Sequence, residues 1–255
     1  QDVWIDVCGA CIGMLLVYGG GRLFRKSKST QVLPKPVKSE AVDSARRAVQ
    51  EHLDVFSPGA AVSILPYSQF LRVKFPLPEK RPLVSLICDM ENSFSQMKEI
   101  LSALTTKTAY AKYEILLLFS EAVSKGHIAA ARRFAALHKN VRLLPYAAEL
   151  SLTERIMTGA GQAYGQVLGF LAGGIAPLTE DWLEEMVSCL CREGVGAVGG
   201  KVLRRDGRML HGGYLTDARC KLAPVLQGLL CNEPGWFNWA KLARTVDALD
   251  DMCLF

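Results

Sequence analysis

Between Leu83 and Arg192, short apolar runs alternate with longer amphipathic stretches, and this rhythm limits the fold more than any other feature. Leu83–Cys88, Tyr113–Phe119, Val141–Leu144 and Val167–Leu171 read as buried strands. Phe94–Thr105, Gly126–His138, Leu152–Tyr164 and Asp181–Arg192 carry the spacing of helices packed on one face. Strands separated by helices in this way predict an α/β fold, a mostly parallel sheet flanked by helices on both faces. Upstream, Ser44–Val55 has helical spacing, and Ala61–Ile64 and Phe70–Phe75 read as two short strands closed by Pro76-Leu77-Pro78. His52, His127 and His138 fall on helix surfaces or ends, where solvated or capping roles suffice.

Ligands of open α/β sheets sit outside the carboxyl ends of the strands. The most informative such end is the turn Ala172-Gly173-Gly174, between the strand Val167–Leu171 and the next helix. Thr179 stands where it can cap that helix, and Glu180 and Asp181 give its first turn the charge sign a helix N-terminus favours. The turn itself has no side chain able to do chemistry. Gly194–Gly199 matches the G-x-G-x-x-G dinucleotide pattern, which requires a strand before it and a helix after it. Lys201–Gly207 reads instead as a strand entering a turn at Asp206-Gly207, so the match is coincidental. Trp236, Phe237 and Trp239 form one aromatic cluster, suited either to packing or to stacking on a sugar.

A chain of 255 residues can bury one good core and leave a segment over at its N-terminus. The formal charge of +5 is modest, and much of the excess lies in Arg22, Arg25, Lys26, Lys28, Lys35 and Lys38. A basic run beside an apolar run points to anionic lipid, and no nucleic-acid-binding signature is present. Val3–Tyr18 is almost wholly apolar and, with Gly19–Gly21, approaches the roughly 20 residues of a membrane-spanning helix. Trp4, Ile5 and Ala10 belong to this anchor. Positive residues follow it, which places the remainder on the cytoplasmic side and excludes a signal peptide. The resulting division is 1–26, a transmembrane helix with a basic flank; 27–43, a linker; 44–80, a small subdomain; and 81–255, the main domain. Of eight cysteines, Cys8 and Cys11 have metal-type spacing without a second pair, and Cys189 and Cys191 point to different helix faces. Small reduced hydrophobes are the reading adopted for them.

Arg72–Pro78 (RVKFPLP), Pro82–Ser85 (PLVS), Thr108–Ile115 (TAYAKYEI), Glu180–Val187 (EDWLEEMV) and Val195–Leu203 (VGAVGGKVL) follow one another in order, then Asp206-Gly207 and His211-Gly212-Gly213. Together these motifs resemble the family 2 glycosyltransferases, specifically the rhamnosyl- and O-antigen-type members. The resemblance runs from about Tyr67 to Phe255 and implies the nucleotide-sugar-binding fold called GT-A. It also implies a divalent cation, which neutralises the diphosphate as the leaving group departs.

The family's functional positions carry over poorly. Its metal-binding turn aligns with Ala172-Gly173-Gly174, and the acidic residue two places further with Ala176. Its nucleoside-contacting Asp-Asn-Gly-Ser falls on Phe119-Ser120-Glu121-Ala122, and its Pro-Thr-Arg on Asp89-Met90-Glu91. Its helical asparagine pair becomes Ile156-Met157, and His211 falls beside the donor site. Structural residues Gly159, Gly165, Trp182 and Gly196 are retained. The acceptor-activating carboxylate of the family follows the strand that Met252–Phe255 begins, and Asp250-Asp251 replace a Thr-Gly before it.

Two alternatives follow from this resemblance. In one, a retained scaffold with an emptied site, needing no cofactor, serves as an assembly subunit beside a membrane-protein partner. Apolar surface around Phe119, Ile156 and Met157 would then meet that partner. In the other, an active transferase of cell-surface polysaccharide synthesis takes a nucleotide-sugar. Asp89, Glu91 and Glu121 all lie at strand ends on the donor edge, and its diphosphate would be neutralised by a metal on Asp89 or Glu121, or by Lys201, Arg204 or Arg205.

Overall fold

The structure is a computed structural model describing residues 14–16, 40–90 and 94–255. Trp4, Ile5, Ala10, Cys8, Cys11, the basic run, most of the linker and Glu91 lie outside the described residues. The elements begin with β1 (Met14–Leu16), α1 (Glu40–Phe56), β2 (Ala61–Ile64), β3 (Leu71–Lys74), β4 (Val84–Asp89) and α2 (Phe94–Thr106). Next come β5 (Tyr113–Ser120), α3 (Lys125–Leu137), β6 (Val141–Tyr146), α4 (Leu152–Gly161), β7 (Val167–Leu171), β8 (Ile175–Pro177) and α5 (Trp182–Leu190). The chain closes with β9 (Val202–Leu203), β10 (Met209–His211), β11 (Tyr214–Thr216), β12 (Leu222–Pro224), a 3-10 turn (Trp236–Asn238) and β13 (Cys253–Leu254).

A five-stranded sheet in the order β13-β7-β4-β5-β6 forms the centre. β7, β4, β5 and β6 are parallel, and β13 runs antiparallel to β7 with Cys253 opposite Leu171. From β4 the chain steps outward through β5 to β6, then returns across α4 to place β7 on the other side of β4. The strand order therefore reverses between β4 and β7, the switch point at which such sheets open a crevice.

Every residue of β4 is buried, which is why apolar residues fill its middle, Leu86–Cys88, without the alternation of an exposed strand, and why its polar Ser85 and Asp89 carry internal partners. On one face Leu86, Cys88 and Leu117 pack with Met97, Leu101 and Leu104 of α2. On the other, Ile87, Leu116 and Leu118 meet α4 and the segment after it. α4 approaches the sheet through Gly159, where a Cβ would lie 2.7 Å from Ile87 Cγ2. At the amino-terminal edge a Cβ on Gly165 would lie 2.6 Å from the Ser85 backbone nitrogen, so only glycine fits.

The small subdomain is tied to the main one by charge. Glu185, buried on α5, accepts Arg72 at 3.0 Å and Lys74 at 3.1 Å from β3. Gln50 of α1 bonds Ala60 O and Val62 N, fixing that helix to the start of the hairpin.

Two expectations differ from what is observed. Within the apolar run, Met14–Leu16 is extended and pairs antiparallel with β8, where a helix was anticipated. The N-cap of α5 is Asp181, without a side-chain capping bond, and the anticipated cap at Thr179 lies ahead of it. No helix among the described residues is long and apolar enough to cross a membrane. Gly194–Gly199 lies between α5 and β9, with no helix after it, as the sequence indicated.

Candidate functional site

A cleft opens at the switch point, between the carboxyl ends of β4 and β7 and the start of α4. Asp89, Arg155, Ile156, Ala172, Gly173 and Asp251 are among the residues lining it, and its cavity volume is about 60 Å³. Ligand pockets typically enclose about 300–1,000 Å³, so the cleft is too small for a nucleotide-sugar as it stands.

Asp89, the last residue of β4, is buried. Arg155 Nη1 lies 2.6 Å from its Oδ2, and the Tyr146 hydroxyl donates to Oδ1 at 3.1 Å. The same Arg155 nitrogen donates to the Tyr146 oxygen at 3.1 Å, and the guanidinium sits 5.3 Å from the Tyr146 ring centroid. Burial pushes the Tyr146 phenol above its ordinary range; the Arg155 hydrogen bond lowers it and the Asp89 charge raises it. The phenol therefore stays protonated and remains a donor. Both carboxylate oxygens of Asp89 are thus engaged inside the protein.

Opposite Asp89 the turn Ala172-Gly173-Gly174 contributes main chain only. Ala172 N donates to Met252 O at 2.9 Å, and Gly174 has φ of 100°. A Cβ on Gly173 would lie 3.4 Å from Asp89 O, in ordinary contact. A divalent cation requires several hard oxygen ligands. The turn offers no carboxylate, and Asp89 already holds a guanidinium whose charge opposes a second cation. Among the described residues no group of three His, Cys, Asp or Glu side chains could hold a metal ion. The described residues lining the cleft do not fit the cation that the resemblance implies.

The other anticipated positions separate. Ile156 lines the cleft, while Met157 beside it is 64% exposed. Phe119 is buried in the core, which removes it from any partner-facing surface. Glu121 is exposed after β5, its N–H donating to Tyr146 O at 3.0 Å, and it does not line the cleft. Lys201 is buried and donates Nζ to Ala240 O, and Arg204 and Arg205 lie at the β9–β10 turn away from the cleft lining.

His211 is 3% exposed, with Nε2 2.5 Å from Asp250 Oδ2. The Gly213 N–H donates to its Nδ1 at 3.3 Å, so the proton belongs on Nε2, facing the carboxylate. The Tyr214 hydroxyl donates to the same Asp250 oxygen at 3.4 Å. Burial raises the Tyr214 phenol, and the charges of Asp250 and Asp251 add to it. With both ring nitrogens engaged internally, His211 fastens β10 to the segment before β13. Asp251, next along the chain, is left exposed on the cleft wall.

Reading the sequence missed Arg155 and Tyr146, the two residues that close the site, and the pairing of His211 with Asp250. Only Arg155 carried a signal: a cation on the sheet-facing helix, immediately before the Ile156-Met157 pair.

No family model matches the chain. It is 25% identical over 239 residues to the uncharacterized protein y4gI of Sinorhizobium fredii, covering 91% of this chain and 25% of that one. It is 28% identical over 180 residues to the O-antigen biosynthesis protein RfbC of Myxococcus xanthus, covering 69% and 14%. It is 32% identical over 122 residues to the glycosyltransferase AglE of Haloferax volcanii, covering 48% and 40%. The chain thus spans between 14% and 40% of the length of these relatives. Among solved structures, the mannosyltransferase PcManGT from Pyrobaculum calidifontis, in complex with GDP-Man and Mn2+, superposes with a TM-score of 0.44 at 20% identity, over 62% of this chain and 45% of that one. The chain is glycosyltransferase-like in sequence, with a mixed α/β fold around a parallel-rich sheet.

Proposed function

We propose that this chain is a glycosyltransferase-like scaffold domain that holds no metal-bound nucleotide-sugar at its switch point and serves as a structural or assembly subunit. The observation that carries this reading is the closed set Asp89–Arg155–Tyr146 in a cleft of about 60 Å³. The carboxylate at the strand end, where a donor-site cation would be held, is neutralised by a guanidinium from the protein itself. The facing turn, Ala172-Gly173-Gly174, has nothing to add. Similarity to AglE and RfbC supports the glycosyltransferase-like frame over part of their lengths.

Thermal unfolding with UDP-, dTDP- and GDP-sugars, each with and without Mn²⁺, tests it. A ligand at 100 times its Kd adds about 2.7 kcal/mol, roughly 5–10 °C of Tm for a chain of this size. The scaffold reading expects no shift. A Mn²⁺-dependent rise with any of these nucleotides overturns it.

An active transferase is the second reading, favoured by Asp251, which reaches the cleft wall unpaired with His211. On that reading the Mn²⁺-dependent shift is present and disappears in Asp251→Asn.

We also propose, as a separable point, that Val3–Tyr18 and the basic residues after it attach the domain to the cytoplasmic face of a membrane, beside a membrane-protein partner. Pairing of Met14–Leu16 with β8 competes with a helix continuing through Leu16. Alkaline extraction of membranes decides between them: retention in the pellet supports attachment and release opposes it.

A further inference from the structure

The stretch 122–148 contains no aspartate or glutamate, and its cations are Lys125, Arg132, Arg133, Lys139 and Arg142. Its formal charge therefore equals the +5 of the whole chain. Arg142 is used within the fold, paired with Glu114 at 2.9 Å and lying 4.1 Å over the Tyr164 ring. Lys125, Arg132, Arg133 and Lys139 are exposed, and among the described residues their side chains form no ion pair or hydrogen bond.

These cations share one surface. Lys125, Ala129, Arg132, Arg133, Ala136 and Leu137 are all exposed and recur at three- and four-residue spacing along α3, with Lys139 just past its end. The other side of the helix belongs to the core, where Ala131 and Phe134 are buried and His138 stacks on Phe134 with centroids 4.1 Å apart. The outward face is about 20 Å long. At its end stands Leu137, 81% exposed, one turn from Arg133. The helix itself gains nothing from the charges. Lys125 opens it, and a cation at a helix N-terminus opposes the dipole. Arg132 and Arg133 have only Ile128–Ala130 and Ala135–Leu137 at three and four residues' distance, with no carboxylate among them to pair with. Charges that break a local preference without an internal return point to a partner outside the fold.

From this we infer that the outward face of α3 is a docking surface for an anionic membrane, its cations meeting lipid headgroups and Leu137 reaching the acyl boundary. Each Lys or Arg beside anionic lipid adds about fivefold to partitioning. Lys125, Arg132, Arg133 and Lys139 together therefore give a salt-sensitive attachment rather than an irreversible one. A protein interface would enrich aromatic side chains at its centre and deplete lysine and alanine, whereas this face is made of alanine and cations. The surface uses no residue of the switch-point cleft and none before Met14. It is thus independent of the scaffold reading and of attachment through Val3–Tyr18.

The test uses the 255-residue chain with vesicles of phosphatidylcholine, alone or with about 30% phosphatidylserine, and maps lysine acetylation by peptide mass spectrometry. With phosphatidylserine, Lys125 and Lys139 are expected to react at least about fivefold more slowly relative to Lys221, between β11 and β12. Without it, or at about 1 M salt, where the Debye length is about 3 Å, the protection disappears. Arg132→Gln/Arg133→Gln is expected to raise the lipid needed for half-protection about 25-fold, and Leu137→Ser about tenfold. All three positions are exposed, so an unchanged Tm shows that both variants fold. Equal protection on both kinds of vesicle overturns the inference, as does its absence on both, or an undiminished effect in either variant. Polyglutamate or RNA that protects the two lysines where vesicles do not would overturn it too and assign the face to a soluble polyanion. Attachment through Val3–Tyr18 retains the chain on either kind of vesicle without a serine-lipid-dependent shield over Lys125 and Lys139, so the two outcomes are read separately.

Discussion

Replacing Arg155 with methionine keeps the aliphatic stem and removes the charge that neutralises Asp89. The loss is large because the pair is nearly dry, its side chains 16% and 10% exposed. Removing one partner of a buried ion pair typically costs 3–5 kcal/mol, and the residual access of water favours the lower end, about 3 kcal/mol. For a chain of this size that corresponds to a fall in Tm of roughly 6–12 °C. Urea denaturation of the parent, Asp89→Asn, Arg155→Met and the double variant completes a cycle. The double variant should be more stable than the sum of the single losses allows, with a coupling of at least about 1.5 kcal/mol. Tyr146 joins the same set, so Tyr146→Phe is expected to reduce that coupling without abolishing it. If Arg155→Met unfolds within ~0.5 kcal/mol of the parent, or the two losses simply add, Asp89 is not engaged as described. The scaffold reading then loses the observation that carries it.

Glu114 supplies a pH signature at the opposite edge of the sheet. Burial raises its carboxyl, but hydrogen bonds from Ser85, the Tyr164 N–H and Arg142 together outweigh it and hold the pKa below the usual glutamate range. A depressed folded value stabilises the protein above the unfolded pKa of about 4.3 and is lost as pH falls through the folded value. Glu114→Gln should therefore cost about 2 kcal/mol at pH 7, and the gap to the parent in urea should close on acidification below about pH 4. Gly165→Ala drives a methyl into the Ser85 backbone and should cost about 3 kcal/mol by the same assay, whereas Gly161→Ala, which meets nothing within 4 Å, should be nearly neutral. Burial, with the Asp89 charge adding, pushes the Cys88 thiol up to about 12. Iodoacetamide at pH 8 should leave Cys88 unmodified in the folded chain while alkylating exposed Cys220 and Cys231, as peptide mass mapping would show.

The parallel sheet was legible because its central strands, β4 and β5, are buried on both faces and the helices between them on one. Val167–Leu171 and Ala61–Ile64 coincide with the observed strands, and β4, β5 and the helices between them shift by a few residues at most. The end of α4 was less clear: apolar spacing continues to Tyr164, but the helix stops at Gly161 so that Tyr164 N can reach Glu114. An apolar run carries no mark that distinguishes a strand from a membrane helix when a pairing partner such as Ile175–Pro177, against which Met14–Leu16 is extended, is distant in sequence.

The site was legible chiefly as an absence at Ala172-Gly173-Gly174. Its closure was not. Whether Asp89 is a solvated carboxylate or the partner of a guanidinium depends on where α4 crosses the sheet, and Gly159 sets that approach through contact with Ile87. In the same way His211 and Asp250 meet only because β13 folds back along β7.

The central claim concerns the switch-point cleft, and calorimetric titration of the chain with UDP, dTDP and GDP, each with and without Mn²⁺, tests it most directly. A closed Asp89–Arg155–Tyr146 set predicts no saturable heat for any nucleotide at concentrations up to about 1 mM, with Mn²⁺ making no difference. A Mn²⁺-dependent isotherm in the micromolar range, about −8 kcal/mol, would contradict it and place a working donor site where the protein's own cation is described.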